Sequence, residues 1–144
     1  MGSLLLLTRI GGRPAAFRAE DIGSIVELTE IAPVPRAPDF VAGLTGLRSR
    51  ALTVIDSRKA LALPGTPDPP DVRAPVVEVG GHAYALLVDR VDDVVAAEGE
   101  PTPPPATLGP AWARVACGMI ETAAGPAVLI DVAALVAGPH RAAA

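Results

Sequence analysis

The chain has 144 residues with 12 basic and 16 acidic side chains, a formal net charge of −4, and one cysteine. This length suits one domain, or two small lobes that share a core. The acidic balance argues against a nucleic-acid partner, and the single Cys117 excludes an internal disulfide or a zinc site built on several thiolates of this chain. A lone cysteine also fits a reducing, cytoplasmic location.

The first apolar run begins with four leucines at Leu4 and is too short to span a bilayer, so we predict a β-strand and no direct membrane insertion. An apolar run, a glycine-containing turn and a second apolar run occur together three times, which predicts three β-hairpins. The three segments are LLLLTRI-GG-RPAAF, PVVEV-GG-HAYALLV and GMIET-AAG-PAVLI. Short strands joined by tight turns indicate an all-β barrel or sandwich with short helices.

Two segments have helical features. In residues 19–28 the apolar residues Ile22, Ile25 and Val26 share a helical face, although the β-branched side chains and a glycine make a twisted strand equally consistent with the pattern. In the second segment we predict a helix that Asp131 caps and Gly138 ends.

The segment from Pro38 to Arg58 contains LTVID, an apolar and β-branched run typical of a buried strand, preceded by Arg48. We expect this arginine to project from a loop-to-strand junction, where a planar guanidinium suits recognition of a carboxylate or of backbone carbonyls on a partner. The alternative is an internal ion pair with Asp56 or Asp89, and the two roles are compatible.

Two proline-dense stretches, residues 64–75 and 101–110, interrupt the strand pattern. We expect one domain over residues 1–144, with the first stretch as a connector between two lobes and residues 138–144 as a flexible tail.

Candidate catalytic groups are few. Asp89, Asp92 and Asp93 could serve a small β-barrel hydrolase, but their position where a valine-rich strand meets a turn favours solvated acids. His82 and His140 have no orienting carboxylate nearby in the sequence, and no phosphate-binding glycine loop is present. We therefore predict no catalytic residue, no cofactor and no metal. A small-molecule carrier with a closed apolar cavity is a further alternative.

Three further segments follow one another in the chain: APDFVAGLTGLRSRALTVIDSRKAL, YALLVDRVDDVV and PAVLIDVAALV. In this order they resemble the CheW-like domain family of bacterial chemotaxis, and the resemblance extends from Leu4 to Val136. The chain departs from the family pattern at five positions. They are Ser24, where the family has Glu, Gly46 for Asn, Ser49 for Gly, Thr53 for Pro and Ser57 for Leu.

The resemblance implies two intertwined five-stranded SH3-like β-barrels around a shared apolar core. It implies an adaptor that couples chemoreceptors, the methyl-accepting proteins, to the histidine kinase CheA. Such a protein binds the cytoplasmic tip of the receptor in the groove between the lobes and pairs with the regulatory domain of the kinase. It would be cytoplasmic, associated with membrane receptor arrays, and able to join copies of itself in array rings.

By position, the resemblance also implies site residues. The receptor-facing residues would be Ile22, Ile25, Gly43 and Arg48. The residues that brace the lobes or contact partners would be Asp56 and Arg58 in the first lobe and Val88, Asp89 and Val91 in the second. An adaptor of a non-flagellar sensory array and a detached regulatory domain of a kinase are alternatives. The lack of an ATP-binding or phosphotransfer segment in the sequence favours the adaptor.

Overall fold

The structure is a computed structural model that describes residues 3–63 and 69–139. The described part of the chain contains strands joined by short turns, with three short α-helices. The strands are β1 (Leu4–Ile10), β2 (Arg13–Arg18), β3 (Ile22–Glu27), β4 (Val41–Leu47), β5 (Arg50–Asp56), β6 (Arg73–Val79), β7 (His82–Leu87), β8 (Arg90–Ala96), β9 (Ala116–Thr122) and β10 (Gly125–Ile130). The helices are α1 (Ser57–Ala60), α2 (Pro110–Val115) and α3 (Val132–Ala137).

The strands form two five-stranded sheets, in the orders β8-β1-β2-β10-β9 and β3-β6-β7-β5-β4. We call them the terminal barrel and the central barrel, because each sheet closes on itself through a backbone bridge. Thr102 and Met119 exchange two 2.8 Å hydrogen bonds in the terminal barrel, and Ala32 and Leu44 do the same in the central barrel. The predicted all-β fold of two five-stranded barrels is therefore confirmed.

The two barrels are intertwined because each one combines strands from both halves of the chain. The hairpin β1–β2 belongs to the terminal barrel, but the next strand, β3, pairs with β6 of the central barrel. The hairpin β6–β7 belongs to the central barrel, and the next strand, β8, pairs with β1. The chain thus crosses between barrels twice, after β2 and after β7.

The three predicted hairpins are present as β1–β2, β6–β7 and β9–β10. The first two turn at Gly-Gly pairs in which both residues have positive φ, for example 58° and 82° at Gly11 and Gly12. Two-residue hairpin turns of this kind match the right-handed twist of the flanking strands, and glycine adopts them without steric cost.

Residues 19–28 do not form a helix. A 3-10 turn covers Ala19–Asp21, and β3 follows it, so the strand alternative was correct. The register between β3 and β6 shifts at Gly23, which is a β-bulge. The predicted C-terminal helix is confirmed as α3, since the Asp131 carboxylate accepts a 3.2 Å hydrogen bond from the Ala134 amide and Gly138 ends the helix with φ 79°.

The proline-dense stretch at residues 64–75 does not separate the barrels. It joins β5 to β6 within the central barrel, and its last residues, from Arg73, already belong to β6. Pro75 is the third residue of β6, and it pairs with Ile25 of β3 just before the pairing of β6 with β7 begins at Val76. Residues 64–68 and the end of the predicted tail, residues 140–144, lie outside the described residues.

The apolar residues form three clusters, one inside each barrel and one in the seam between them. On β1, Leu5 and Leu7 point into the terminal barrel, while Leu6 and Ile10 point into the seam. The segment from Leu5 to Leu7, which has no polar alternation, is therefore buried on both faces of β1, while Leu4 at the start of the strand is exposed. The seam cluster also contains large buried side chains of other elements, including Phe17, Ile55, Val88, Trp112, Ile130 and Leu135.

The three helices cover one end of the seam, and Arg114 of α2 ties the other two together. Its guanidinium donates to the carbonyl oxygens of Ala60 at 2.6 Å and Ala134 at 2.7 Å. Burial lowers the pKa of Arg114. These bonds satisfy carbonyl groups of α1 and α3 that short helices leave without internal partners.

Candidate functional site

An apolar groove runs along the junction of the two barrels on the side where β3 and β8 meet. Its volume is about 300 Å³. The residues that line it are Leu6, Ala19, Ile22, Ser24, Ile25 and Val94. We call it the inter-barrel groove, because β1 and β8 supply the wall from the terminal barrel and β3 supplies the wall from the central barrel.

Strand alternation explains which side chains reach this groove. Val95 packs inside the terminal barrel, so its neighbour Val94 points outward, opposite Leu6 of β1. Val26 packs inside the central barrel, so Ile25 points outward in the same way. Ile22 also reaches the seam because the bulge beyond it shifts the alternation by one residue.

The walls of the inter-barrel groove are unusually exposed for aliphatic side chains. Ile25 is 43% exposed and Val94 is 51% exposed. Leu4, which lies on the same outward face of β1 as Leu6, is 56% exposed. None of the lining residues carries a charge. Contiguous exposed aliphatic surface is a feature of interaction sites, which makes the inter-barrel groove the candidate site.

Arg48 lies outside the groove, in the turn of the hairpin β4–β5. The run LTVID is part of β5, as predicted. Arg48 and Ser49 form the turn with φ values of 49° and 68°, a conformation in which glycine and asparagine are favoured. Arg48 is exposed, and it forms no hydrogen bond or ion pair within residues 3–63 and 69–139. The internal ion pair with Asp56 or Asp89 is therefore not formed.

Gly43 has a packing role that its predicted place near a receptor does not explain. It is buried with φ 152°, and a Cβ atom at this position would overlap the carbonyl oxygen of Ala32 where the central barrel closes. Gly118 occupies the same place in the terminal barrel, where a Cβ atom would lie 2.6 Å from the Thr102 carbonyl oxygen. Both glycines allow a strand to approach closely enough for barrel closure.

Asp89 connects the two barrels beside the second crossover. Its carboxylate accepts hydrogen bonds from the amides of Gly11 at 3.0 Å and Gly12 at 2.8 Å, and from Nε of Arg58 at 2.6 Å. Partial burial alone would raise the pKa of Asp89, but the Gly12 amide, the Arg58 guanidinium and the Gly11 amide together lower it. We call this arrangement the Asp89 bracket.

The other residues expected to brace the lobes lie close to this bracket. The Asp56 carboxylate caps α1 and accepts from the Arg58 amide at 3.1 Å, which fixes the start of the helix that presents Arg58. Val88 and Val91, on either side of the bracket, are buried in the seam. The residues assigned to two lobes thus meet at one junction.

The three aspartates of the hydrolase alternative are not brought together as one site. Asp89 is engaged in its bracket, and its lowered pKa is opposite to what a general acid needs. Asp92 pairs with Arg90, while Asp93 accepts from a neighbouring backbone amide. Asp92 and Asp93 line a separate cavity of about 300 Å³ at the end of the terminal barrel, which two arginines also line.

His82 is exposed at the start of β7, and His140 lies outside the described residues. Within residues 3–63 and 69–139, no three His, Cys, Asp or Glu side chains are grouped as metal ligands. No helix in these ranges has the length and apolar character needed to cross a membrane.

Sequence reasoning found the β3 wall of the inter-barrel groove but missed the β8 wall. Ile22 and Ile25 were expected to face a partner, and the structure places them together in the groove. Val94, Leu6 and Ala19 were not predicted. The signal was available in Asp92-Asp93-Val94-Val95, where two adjacent valines of a strand must point to opposite faces.

Comparison with known proteins gives consistent results. A sequence model of the CheW-like domain matches residues 4–139. The chain is 28% identical over 107 residues to the chemotaxis protein CheW of Rhizobium meliloti, covering 71% of this chain and 68% of that protein. It is 32% identical over 59 residues to the chemotaxis protein CheW of Thermotoga maritima, covering 41% of this chain and 39% of that protein.

A solved structure shares the fold. The crystal structure of the scaffolding protein TtCheW from Thermoanaerobacter tengcongensis superimposes with a TM-score of 0.78 at 23% sequence identity. The alignment covers 92% of this chain and 86% of that chain. At this level of identity, the superposition establishes the two-barrel fold.

Proposed function

The chain belongs to the CheW-like domain family, and from this premise we propose that it is a non-enzymatic adaptor that couples chemoreceptors to a sensor histidine kinase. The observation that carries the proposal is the inter-barrel groove, in which both barrels expose aliphatic side chains to solvent. A monomer gains nothing from this exposure, whereas a binding partner would remove the apolar surface from water.

In this proposal the cytoplasmic tip of the receptor, a helical hairpin, places an apolar face in the inter-barrel groove. Ile25 and Val94 contact it from opposite walls, and Ile22 lies deeper in the groove. Fully burying an exposed aliphatic side chain contributes about 1.5–3 kcal/mol, so burying the 43% of Ile25 and the 51% of Val94 that are exposed contributes about half of that for each residue. The costs of association are then subtracted. A groove without charges selects an apolar partner, because a charged side chain would lose its water without gaining an opposite charge.

Arg48 supplies a second contact in this proposal. The guanidinium is exposed at the tip of a short hairpin and has no described intramolecular partner, so it can pair with a carboxylate or with backbone carbonyls. The hairpin fixes the backbone of Arg48, whereas its exposed side chain loses rotamer freedom when it pairs with a partner.

The same adaptor binds the regulatory domain of the kinase CheA, and copies of it join in array rings beneath the membrane. Asp56, Arg58, Val88, Asp89 and Val91 act here by holding the two barrels in one relative orientation. Two modest interfaces then reinforce each other, since binding one partner raises the effective concentration of the other. The protein works in the cytoplasm by binding alone.

Titration calorimetry with a receptor tip hairpin tests the groove. We expect Ile25→Asp and Val94→Asp each to weaken binding by tenfold or more, about 1.4 kcal/mol, because a carboxylate is desolvated in an apolar contact. Val72→Asp is the matched control, since Val72 is 58% exposed and is not a groove-lining residue. Equal losses in all three variants, or no loss in the first two, would contradict a groove-bound receptor.

The same titration tests Arg48. Arg48→Asp should weaken receptor binding by about 2–4 kcal/mol if the arginine pairs across a desolvated interface. Arg50→Asp carries the same change of charge two residues away and should have a smaller effect that added salt removes. Binding that stays unchanged in Arg48→Asp would remove this residue from the interface.

A further inference from the structure

The two crossovers between the barrels occupy equivalent positions in the two halves of the chain. Each follows a Gly-Gly hairpin, and the ninth residue after the first glycine is Glu20 in one half and Asp89 in the other. The helices α1 and α3 are equivalent in the same way, because Asp56 caps one and Asp131 caps the other. Position 133, two residues after Asp131, therefore corresponds to Arg58.

The second crossover, between β7 and β8, is held by polar contacts from both barrels. The Asp89 bracket fastens it to the turn of β1–β2 and to α1, and the Asp89 amide donates to the Arg9 carbonyl at 2.8 Å. On the other side, the Asp71 carboxylate accepts from the Val91 amide at 2.8 Å. Arg73 also donates to the Val91 carbonyl at 2.9 Å. The start of β8 is thus fixed at several points.

The first crossover, between β2 and β3, lacks an equivalent arrangement. Glu20 and Asp21 form no side-chain hydrogen bond or ion pair with the described part of the chain. The position equivalent to Arg58 is Ala133, which is exposed and has no charge to offer. The side-chain contact at this crossover is a 3.7 Å bond from Arg18 to the sulfur of Cys117, which is a weak acceptor.

We infer that the inter-barrel groove opens on one side: the segment Ala19–Ile25 moves, while the β8 wall stays fixed. Ala19, Ile22 and Ile25 line the groove and move with this segment, whereas Val94 belongs to the fixed wall. The groove therefore adapts to its occupant through the β3 wall, and an occupant orders that wall when it binds. Only the identity of the occupant rests on the proposed function.

Hydrogen exchange of the free, full-length protein tests the inference. We expect the strand-paired amides of β3 to exchange roughly tenfold faster, or more, than those of β8, because segments with few fixed contacts open locally at lower free energy. In Asp89→Asn the β8 amides should approach the β3 rate. Equal protection of β3 and β8 in the unmodified protein would overturn the inference.

Introducing an equivalent of the Asp89 bracket at the first crossover provides a second, independent test. The double variant Glu20→Asp with Ala133→Arg places an aspartate and an arginine at the positions equivalent to Asp89 and Arg58, and the Gly80-Gly81 turn is equivalent to the Gly11-Gly12 turn of the Asp89 bracket. Exchange of the β3 amides should slow severalfold. Glu20→Asp with Ala137→Arg is the matched control, because position 137 is also exposed on α3 but is not equivalent to Arg58. If exchange of the β3 amides does not slow in the variant with Ala133→Arg, or slows equally in the control, the missing bracket does not determine the mobility of the β3 wall.

Receptor titration separates this inference from the proposed function. If a receptor hairpin fails to bind while β3 exchanges faster than β8, the proposed occupant is wrong and the one-sided groove stands. If the hairpin binds and both walls are equally protected in the free protein, the adaptor role stands and the inference fails.

Discussion

Replacing Asp89 by Asn removes the charge of the Asp89 bracket while keeping the size of the side chain. The carboxylate accepts three hydrogen bonds, from two backbone amides and one guanidinium, and a bond to a charged group contributes about 1.5–3 kcal/mol. Water replaces part of this, since the side chains of Arg58 and Asp89 are 18% and 20% exposed, and the Asn carbonyl retains one amide bond. We expect a net loss of about 2–3 kcal/mol in the free energy of unfolding.

Urea unfolding followed by tryptophan fluorescence measures this loss, because Trp112 is the one tryptophan of the chain and is buried in the seam. A loss of this size lowers Tm by about 6–10 °C for a domain of this length. Asp92→Asn is the matched control. Its partner Arg90 is 58% exposed, so breaking that pair should cost at most about 0.5 kcal/mol.

The effect of Asp89 also depends on pH. Its pKa in the folded protein lies below the ordinary value of 3.8, so the folded state favours the ionised carboxylate. The stabilisation is complete above the unfolded pKa and is lost as pH falls through the folded pKa. The difference in stability between the unmodified protein and Asp89→Asn should therefore be constant near neutral pH and shrink below pH 3.8. Equal stability losses in the two Asn variants, or a difference that persists at low pH, would refute this account of the bracket.

Five further substitutions have defined outcomes in the same unfolding assay. Gly118→Ala should lower the free energy of unfolding by about 2–4 kcal/mol, because Gly118 has φ 156° and the new Cβ would lie 2.6 Å from the Thr102 carbonyl oxygen. Gly46 has open space around it, so Gly46→Ala should change this free energy by less than about 1 kcal/mol. Ser49→Gly should stabilise by about 0.5–1 kcal/mol, since Ser49 has φ 68°; a loss of stability would contradict strain at this turn. Ser57→Ala should stabilise by about 1 kcal/mol, because its buried hydroxyl has no hydrogen-bond partner among residues 3–63 and 69–139. Thr8→Val should destabilise by about the same amount through loss of the 2.9 Å bond to a backbone carbonyl.

Much of the fold was predictable because it depends on local patterns. The Gly-Gly pairs at residues 11–12 and 80–81 set hairpin turns, since both residues of each turn need positive φ. Four consecutive leucines predicted a β-strand, and β1 is present, with its leucines packed into two clusters. Asp131 and Gly138 marked the two ends of a helix by capping chemistry alone.

Residues 19–28 show why a pattern can mislead. Ile22, Ile25 and Val26 follow the spacing of a helical face, yet they lie on a strand. The bulge at Gly23 adds one residue to β3, which shifts the alternation so that Ile22 and Ile25 both reach the groove. A bulge is a property of strand pairing, so the sequence of β3 alone could not distinguish it from helical periodicity.

The amino-acid sequence by itself determined the strands, the hairpin turns and the family, because these depend on residues close together in the chain. Tertiary structure alone decided the site. The inter-barrel groove combines Ile25 of β3 with Val94 of β8, and the bracket joins Asp89 to an amide 78 residues away and to a guanidinium 31 residues away. The outward faces of β3 and β8 meet because of where the chain crosses between the barrels. No local preference of the residues encodes that crossing.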